Sequence, residues 1–154
     1  MKKIILILFV ALISATSLQA QQKEKAVEKA VLTYIENFFE NNFEAMNAVL
    51  HPRLSKRGLN PNGKINDDLP PNKLKEIMEK KKPFSVSKQQ NKVEDIVIFN
   101  KTARAKLTTG YPNVKWMEYV TLVNTDGKWK IIDIFWEYYP RKKGTKGQKR
   151  KKKN

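Results

Sequence analysis

Apolar residues in the first third of the chain recur with the spacing of a helix. Val27, Val31, Tyr34 and Phe38 follow one another at intervals of four, three and four residues. This spacing places them on one face of an α-helix. The pattern predicts a helix over residues 24–40.

Shorter patterns predict two further helices. Phe43 and Met46 begin a short helix that Pro52 ends, because the residue before a proline is pushed out of helical geometry. Residues 53–59 are predicted as a short strand and residues 60–71 as a loop. Asn72 is expected to cap the third helix.

From Lys92 onward the apolar period changes to two, which is typical of strands. Asp126-Gly127 lies between two runs rich in β-branched and aromatic residues, the strongest short-range signal of a hairpin. The predicted strands are residues 93–99, 102–108, 114–123 and 128–138.

Helices followed by a strand meander predict an α+β fold. A curved antiparallel sheet must bury one face, and the N-terminal helices are the elements available to pack in its concave face. The length of 154 residues fits one domain.

Both ends of the chain differ from this domain. Residues 1–20 join two lysines to a run of twelve apolar residues and a small residue at Ala20, the pattern of a secretory signal peptide. We therefore expect an exported protein, periplasmic or secreted, with a domain over residues 21–140. No cysteine is present, so packing rather than disulfides must stabilise it.

The positive charge is concentrated in the tail over residues 141–154. The formal net charge is +16, but it falls to +5 for residues 21–140 once two lysines of the leader and nine basic tail residues are set aside. A tail of this composition is expected to be disordered. The residues proposed to contact an anionic membrane or polysaccharide are Arg141, Lys142, Lys143, Lys149, Arg150, Lys151, Lys152 and Lys153.

The order and spacing of several short motifs resemble one superfamily. These motifs are Tyr34-Ile35, Phe43-Glu44-Ala45-Met46, Leu50-His51-Pro52, Glu118-Tyr119-Val120-Thr121-Leu122 and Asp126-Gly127-Lys128-Trp129-Lys130-Ile131. The chain is similar to the nuclear-transport-factor-2-like (NTF2-like, SnoaL-like, cystatin-like) superfamily, and within it to the group labelled "putative lumazine-binding". The resemblance implies a cone in which helices and a bent sheet enclose a cavity.

By analogy with ketosteroid isomerases of that superfamily, one face of the last two strands is expected to point into the cavity. The proposed ligand-binding residues are Tyr34, Phe38, His51, Tyr119, Thr121, Ile132, Ile134 and Trp136. Glu118 and Asp133 are assigned to the outer face, where they would pair with lysines or line a dimer interface.

The same resemblance weakens the case for isomerase chemistry. Tyr34 occupies the position of the helix tyrosine, but Tyr119 stands where the strand carboxylic acid is expected and Gly58 where the base is expected. Without a proton acceptor, enolisation has no first step. One histidine and no cysteine exclude a zinc site built from those ligands, and no metal or cofactor is expected.

Three functions remain open. The leading hypothesis is an exported, non-catalytic protein that binds a small hydrophobic or aromatic molecule or serves as an interaction module, with homodimerisation through the outer sheet face. The alternatives are an isomerase-like or hydrolase-like enzyme that uses Tyr34, Tyr119 and His51, and anchoring to an anionic surface through the tail. An open cavity of about 300 Å³ or more around Tyr34 and Tyr119 would favour ligand binding or catalysis.

Overall fold

A computed structural model describes the backbone of residues 2–140 and the side chains of residues 18–140. The predicted basic tail lies outside the described residues. The long helix α1 spans Lys2–Glu40, so it begins well before the predicted start and ends where the pattern placed its end. Within the described part of the chain, no helix is long and apolar enough to cross a membrane.

Two short helices follow, α2 at Phe43–Asn47 and α3 at Pro71–Glu79. Asn42 caps α2, its side-chain oxygen accepting a hydrogen bond from the backbone N–H of Ala45. The prediction that Asn72 caps α3 is wrong. Pro70 occupies the capping position, and Pro71 begins the helix because its fixed φ suits a first turn that needs no N–H.

Five strands form one sheet, with bounds β1 Leu50–Leu59, β2 Lys92–Phe99, β3 Thr102–Tyr111, β4 Val114–Thr125 and β5 Lys128–Tyr138. Their order across the sheet is β1-β5-β4-β3-β2. The four-strand antiparallel meander is confirmed, while β1 adds a parallel pairing with β5 and makes the sheet mixed. β1 also starts earlier than predicted and includes Pro52.

The predicted hairpin turn is a two-residue connection between paired Thr125 and Lys128. Asp126 and Gly127 both have positive φ, 54° and 78°. A two-residue turn with both central residues in this region matches the twist of the flanking strands. The Asp-Gly sequence therefore fixes the register of β4 against β5.

The core lies between α1 and the concave face of the sheet. It is formed by residues from every layer, among them Val31, Ile35, Leu54, Leu107, Leu122 and Ile134. The helices thus fill the concave side of a bent sheet, as expected for the α+β cone. The opposite, convex face of the sheet carries no helix in the described residues.

Candidate functional site

A buried polar network occupies the middle of the core. Tyr34 on α1 is fully buried, and its hydroxyl donates a hydrogen bond to Oε2 of Glu118 on β4 at 3.0 Å. The ammonium group of Lys56 on β1 donates to the Tyr34 hydroxyl at 2.6 Å and to Oε1 of Glu118 at 2.5 Å. The indole N–H of Trp116 donates to the same carboxylate oxygen at 2.9 Å. We call Tyr34, Lys56 and Glu118, with Trp116, the interior network.

Charge balance explains how these groups tolerate burial. An isolated buried carboxylate is strongly disfavoured. Glu118 is not isolated, because it accepts hydrogen bonds from three donors, one of which is the positively charged ammonium group of Lys56. Burial, followed by the charge of Glu118 and its hydrogen bond, raises the pKa of Tyr34 well above its ordinary value. The phenol therefore stays protonated at neutral pH and acts as a donor to the carboxylate.

A second lysine approaches the core beside α1. The ammonium group of Lys81 lies 4.0 Å from the centre of the Phe38 ring, a cation–π contact. Burial and then the positive charge of Lys56 lower the pKa of Lys81 to about 8. The side-chain N–H of Asn41 donates to the backbone carbonyl of Lys81 at 2.5 Å and holds this segment against the end of α1.

The structure corrects the predicted orientation of β4. Glu118 is fully buried together with Val120 and Leu122, whereas Tyr119 is 55% exposed on the convex face and Thr121 is only half-buried. Side chains alternate between the faces of a strand, so a shift of one position exchanges the whole set. The expectation that Tyr119 and Thr121 point into the cavity, with Glu118 outside, is therefore wrong.

On β5 a bulge changes the phase of the strand. Thr121 pairs with Asp133, but the next residue of β4, Leu122, pairs with Ile131, which leaves Ile132 as the extra residue. Ile131 and Ile134 consequently both face the core, and Ile132 is half-buried at the bulge.

The remaining predicted positions divide between the core and the surface. Trp136 shares the inner face with Glu118, its direct partner in the sheet, and Phe38 is buried. Asp133 lies on the outer face as predicted and forms an ion pair with Arg57 at 3.1 Å. His51 is half-buried, and its Nδ1 accepts a hydrogen bond from the backbone N–H of Arg53, so its contact in the described structure is local.

Lys56 and Trp116 of the interior network were not among the predicted site residues, and Glu118 was assigned to the wrong face, although the sequence carried a signal for Glu118 and Lys56. Val120 and Leu122 are two and four residues beyond Glu118, so an apolar stripe already marked that face of β4 as buried. Leu54 similarly precedes Lys56 by two residues on β1. The faces of β4 were instead assigned from the resemblance to isomerases, which gave the opposite orientation.

Two clefts stand out in the described part of the chain, of about 1220 Å³ and 370 Å³. Neither is lined by Tyr34 or Tyr119, so neither is the cavity that the sequence led us to expect. The larger one lies where β1 and β5 end and β4 begins, and we call it the end cleft. Its walls include Leu59, Pro61, Val114, Tyr138, Tyr139 and Pro140.

Aromatic rings connect the end cleft to the interior network. Tyr138, a wall of the cleft, lies edge-on to Trp136 at 5.1 Å and to Trp116 at 6.2 Å between ring centres. Trp116 in turn contacts Tyr111 and donates its N–H to Glu118. The cleft is thus lined by apolar and aromatic side chains together with Asn60, Asn113, Lys115 and Glu137, and Tyr138 links it through Trp116 to the interior network.

The described residues offer no cluster of three or more histidine or acidic side chains that could hold a metal ion. The carboxylate of Glu118 is also committed, because its oxygens accept from Lys56, Tyr34 and Trp116. In this arrangement the interior network presents neither a free base nor an open coordination position.

Comparison with known proteins places this geometry in a family. The structure is similar to an NTF2-like protein of unknown function from Shewanella baltica, with a TM-score of 0.68 and 16% identity over 78% of this chain and 96% of that one. It is also similar to an NTF-2 like protein of unknown function from Silicibacter pomeroyi, with a TM-score of 0.69 and 12% identity over 78% and 98%. A "putative dehydratase from the NTF2-like family" from Streptomyces avermitilis aligns with a TM-score of 0.60 and 12% identity over 79% and 99%.

Because the sequence identities are low, these structural similarities show a shared fold and nothing more. The search of curated proteins found no match. The family described as "Putative lumazine-binding" matches residues 22–137, which is about three quarters of the chain. The chain therefore belongs to the "Putative lumazine-binding" family of NTF2-like proteins.

Proposed function

We propose that this protein binds a small, flat, aromatic molecule in the end cleft and carries out no chemistry on it. The observation that carries the proposal is the end cleft itself, about 1220 Å³ in volume and walled by Leu59, Pro61, Val114 and two tyrosines. Ligand sites are typically concave and mainly apolar, with a few polar groups that fix orientation. Membership of a family named for lumazine, a flat bicyclic heterocycle, supports the same ligand class.

The interior network supports the non-catalytic part of this proposal. General acid–base catalysis needs a group that can reach and exchange a proton with the ligand. Tyr34 and Glu118 are fully buried, and their polar atoms bind each other and Lys56. We therefore assign the interior network a structural role in holding α1, β1 and β4 together.

Titration of the full chain with lumazine, followed by tryptophan fluorescence and calorimetry, tests this function. Tyr138→Ala removes an aromatic wall and is expected to weaken binding about tenfold, in line with the 1–3 kcal/mol measured for aromatic stacking. Tyr119→Ala is the matched control, because Tyr119 is exposed on the convex face, and it should bind as wild type does. Equal affinity in wild type and Tyr138→Ala would contradict the cleft as the site.

A second candidate function is acid–base catalysis by the interior network. The specific observation in its favour is the buried Tyr34 hydroxyl beside the Lys56 ammonium group, two donors 2.6 Å apart that could stabilise a negatively charged intermediate, with the Glu118 carboxylate as the proton acceptor. A ketosteroid isomerase-like protein from Erwinia carotovora atroseptica shares the fold at 13% identity and a TM-score of 0.55. If this candidate is right, Glu118→Gln abolishes turnover of a bound enolisable ketone; under our proposal neither protein turns it over.

We also propose that the convex face of the sheet joins two copies of the chain. Phe99 and Val97 on β2 are 80% and 65% exposed there, and Tyr119 on β4 is 55% exposed. Charged side chains on this face form ion pairs with each other, namely Arg57 with Asp133, Lys106 with Asp95 and Lys92 with Glu94. Exposed apolar side chains among charges that are largely paired suit a second copy better than a polyanion.

Sedimentation velocity tests this assembly. Phe99→Glu should shift a dimer to monomer, whereas Lys101→Glu, a charge change in the adjacent turn, should leave the dimer intact. A monomeric wild-type protein at micromolar concentration would contradict it.

Export and surface anchoring complete the proposal. We propose cleavage after Ala20, which N-terminal sequencing of the exported protein would verify. The basic tail, residues 141–154, is proposed to hold the protein at anionic lipid headgroups through charge that salt screens. Binding to vesicles containing phosphatidylglycerol should fall steeply with salt and disappear when the tail is deleted; persistence after deletion would contradict this role.

A further inference from the structure

A buried donor without an acceptor among the described residues lies next to Tyr138, a wall residue of the end cleft. The indole Nε1 of Trp136 is shielded from solvent and has no hydrogen-bond partner among the described residues. Buried polar groups are almost always paired in folded proteins, because an unmade hydrogen bond is unfavourable. An orphaned indole N–H therefore needs an explanation.

The position of Trp136 relates this donor to the cleft. Trp136 pairs with Gly58 in the sheet, and the next pair along the same two strands is Leu59 with Glu137, both of which line the cleft. The ring of Trp136 also lies 5.1 Å from the ring of Tyr138, at an interplanar angle of 78°. Side chains alternate between the faces of a strand, so Leu59 and Glu137 point away from the face that carries Trp136, and it is the partly exposed Tyr138 ring, two residues further along on the same face as Trp136, that connects the cleft wall to the indole.

Gly58 makes room for the indole in this place. A Cβ atom at position 58 would collide with the indole ring of Trp136 and with the backbone carbonyl oxygen of the same residue. The backbone of Gly58 needs no special conformation, since its φ is not positive. The glycine is thus required by the close approach of the ring, which fixes the indole against β1.

A neighbouring tryptophan provides an internal comparison. Trp116 also contacts Tyr138, at 6.2 Å, but its N–H donates to Glu118 at 2.9 Å. Two indoles therefore flank the same tyrosine, one with its donor committed to the interior network and the other with its donor unused. Only the second donor is available to a bound molecule.

We infer that the ligand of the end cleft is a heteroaromatic molecule with a hydrogen-bond acceptor, a carbonyl oxygen or ring nitrogen, that accepts from Nε1 of Trp136. This inference rests on the proposed function and specifies the chemistry of its ligand. The Tyr138 ring turns so that the acceptor reaches the indole while the ring stays against the bound molecule, and its partly exposed position at the end of β5 allows that turn. A hydrocarbon ring of the same size would fill the cleft and leave the donor unpaired.

Two bicyclic probes separate shape from hydrogen bonding. Lumazine carries carbonyl and ring-nitrogen acceptors, and naphthalene has the same two-ring outline without them. Calorimetric titration of the full chain is expected to show tighter binding of lumazine. Trp136→Phe should weaken lumazine about tenfold, the value of one hydrogen bond, and change naphthalene less than about twofold.

Trp129→Phe is the matched control, because Trp129 lies at the opposite end of β5 and should leave both affinities unchanged. Should Trp136→Phe fail to fold, the indole N–H resonance of Trp136 in ¹⁵N-labelled wild type gives the same answer. Lumazine should move that resonance downfield, and naphthalene should not.

The outcomes are distinguishable. Equal weakening of both probes by Trp136→Phe would mean that the indole only packs, and would overturn the inference while leaving the proposed function in place. If Trp136→Phe leaves the affinity for both probes unchanged, then water or the protein satisfies the donor. That outcome would also overturn the inference and leave the proposed function in place. Failure of wild type to bind either probe would overturn the proposed function and the inference together.

Discussion

The interior network and the end cleft lie in the same cone and differ in what their polar groups are free to do. In the interior, the side chains of Tyr34, Lys56 and Glu118 satisfy one another. In the end cleft, aromatic side chains face an open volume, and the indole N–H of Trp136, next to one of them, has no partner among the described residues. The comparison teaches that a buried cluster of ionisable groups in such a fold can be structural, and our proposal places ligand binding in the end cleft instead.

Breaking the interior ion pair should have the largest effect on the free energy of unfolding. Lys56→Met leaves Glu118 buried without a countercharge, and removal of one partner from a buried pair typically costs about 3–5 kcal/mol. Urea denaturation would measure the loss. The double variant Lys56→Met/Glu118→Leu removes both charges and should recover much of it.

The double variant also tests the role of the interior network. If this variant is stable and binds lumazine with wild-type affinity, the network is structural. A loss below about 1 kcal/mol in Lys56→Met would contradict a stabilising role of the buried ion pair.

Gly58→Ala should have the next largest effect, because a Cβ would collide with the indole of Trp136. Overpacking of this kind costs about 1–3 kcal/mol. Gly63→Asn is the matched control: it lies in open space with positive φ, a conformation that asparagine tolerates. Thermal unfolding of both variants measures the difference, and equal melting temperatures would contradict the close approach of Trp136 to β1.

The smallest expected effect is a pH dependence arising from Lys81. Its pKa is lowered to about 8 in the folded protein from an ordinary 10.5. Between these two values the unfolded chain binds a proton that the folded protein has released, so the free energy of unfolding rises as pH increases through this window. Lys81→Met should lack that rise and be slightly more stable than wild type at pH 7.

Lys82→Met, at an exposed neighbouring lysine, should follow the wild-type profile. A wild-type profile that is flat from pH 8 to pH 10.5 relative to Lys81→Met would contradict the lowered pKa.

Local signals in the sequence were sufficient for most of the fold. The helical spacing of Val27, Val31 and Tyr34 and the Asp126-Gly127 turn depend on neighbouring residues alone, and both predictions are confirmed. The parallel pairing of β1 with β5 was missed, because it joins residues some 80 positions apart and leaves no periodic mark in the sequence.

The candidate site was less predictable for a physical reason. The bulge at Ile132 reverses the phase of β5. Both faces of this strand carry apolar residues, so the sequence shows no clear apolar–polar alternation from which the bulge could be predicted. Lys56 and Glu118 appear as ordinary surface charges until the fold brings them within 2.5 Å of each other. The two residues are 62 positions apart in the sequence, and their ion pair makes the burial of both possible. The sequence by itself shows only that each lies on an apolar face of its strand.

Chemical-shift mapping of the ¹⁵N-labelled full chain during a lumazine titration tests the central claim most directly. The account predicts that the largest perturbations fall on Leu59–Gly63, Asn113–Lys115 and Tyr138–Tyr139, which border the end cleft. Amides next to Tyr34, Lys56 and Glu118 should move little. Perturbations centred on the interior network, with the cleft residues unchanged, would contradict the claim that binding occurs at the open end of the cone.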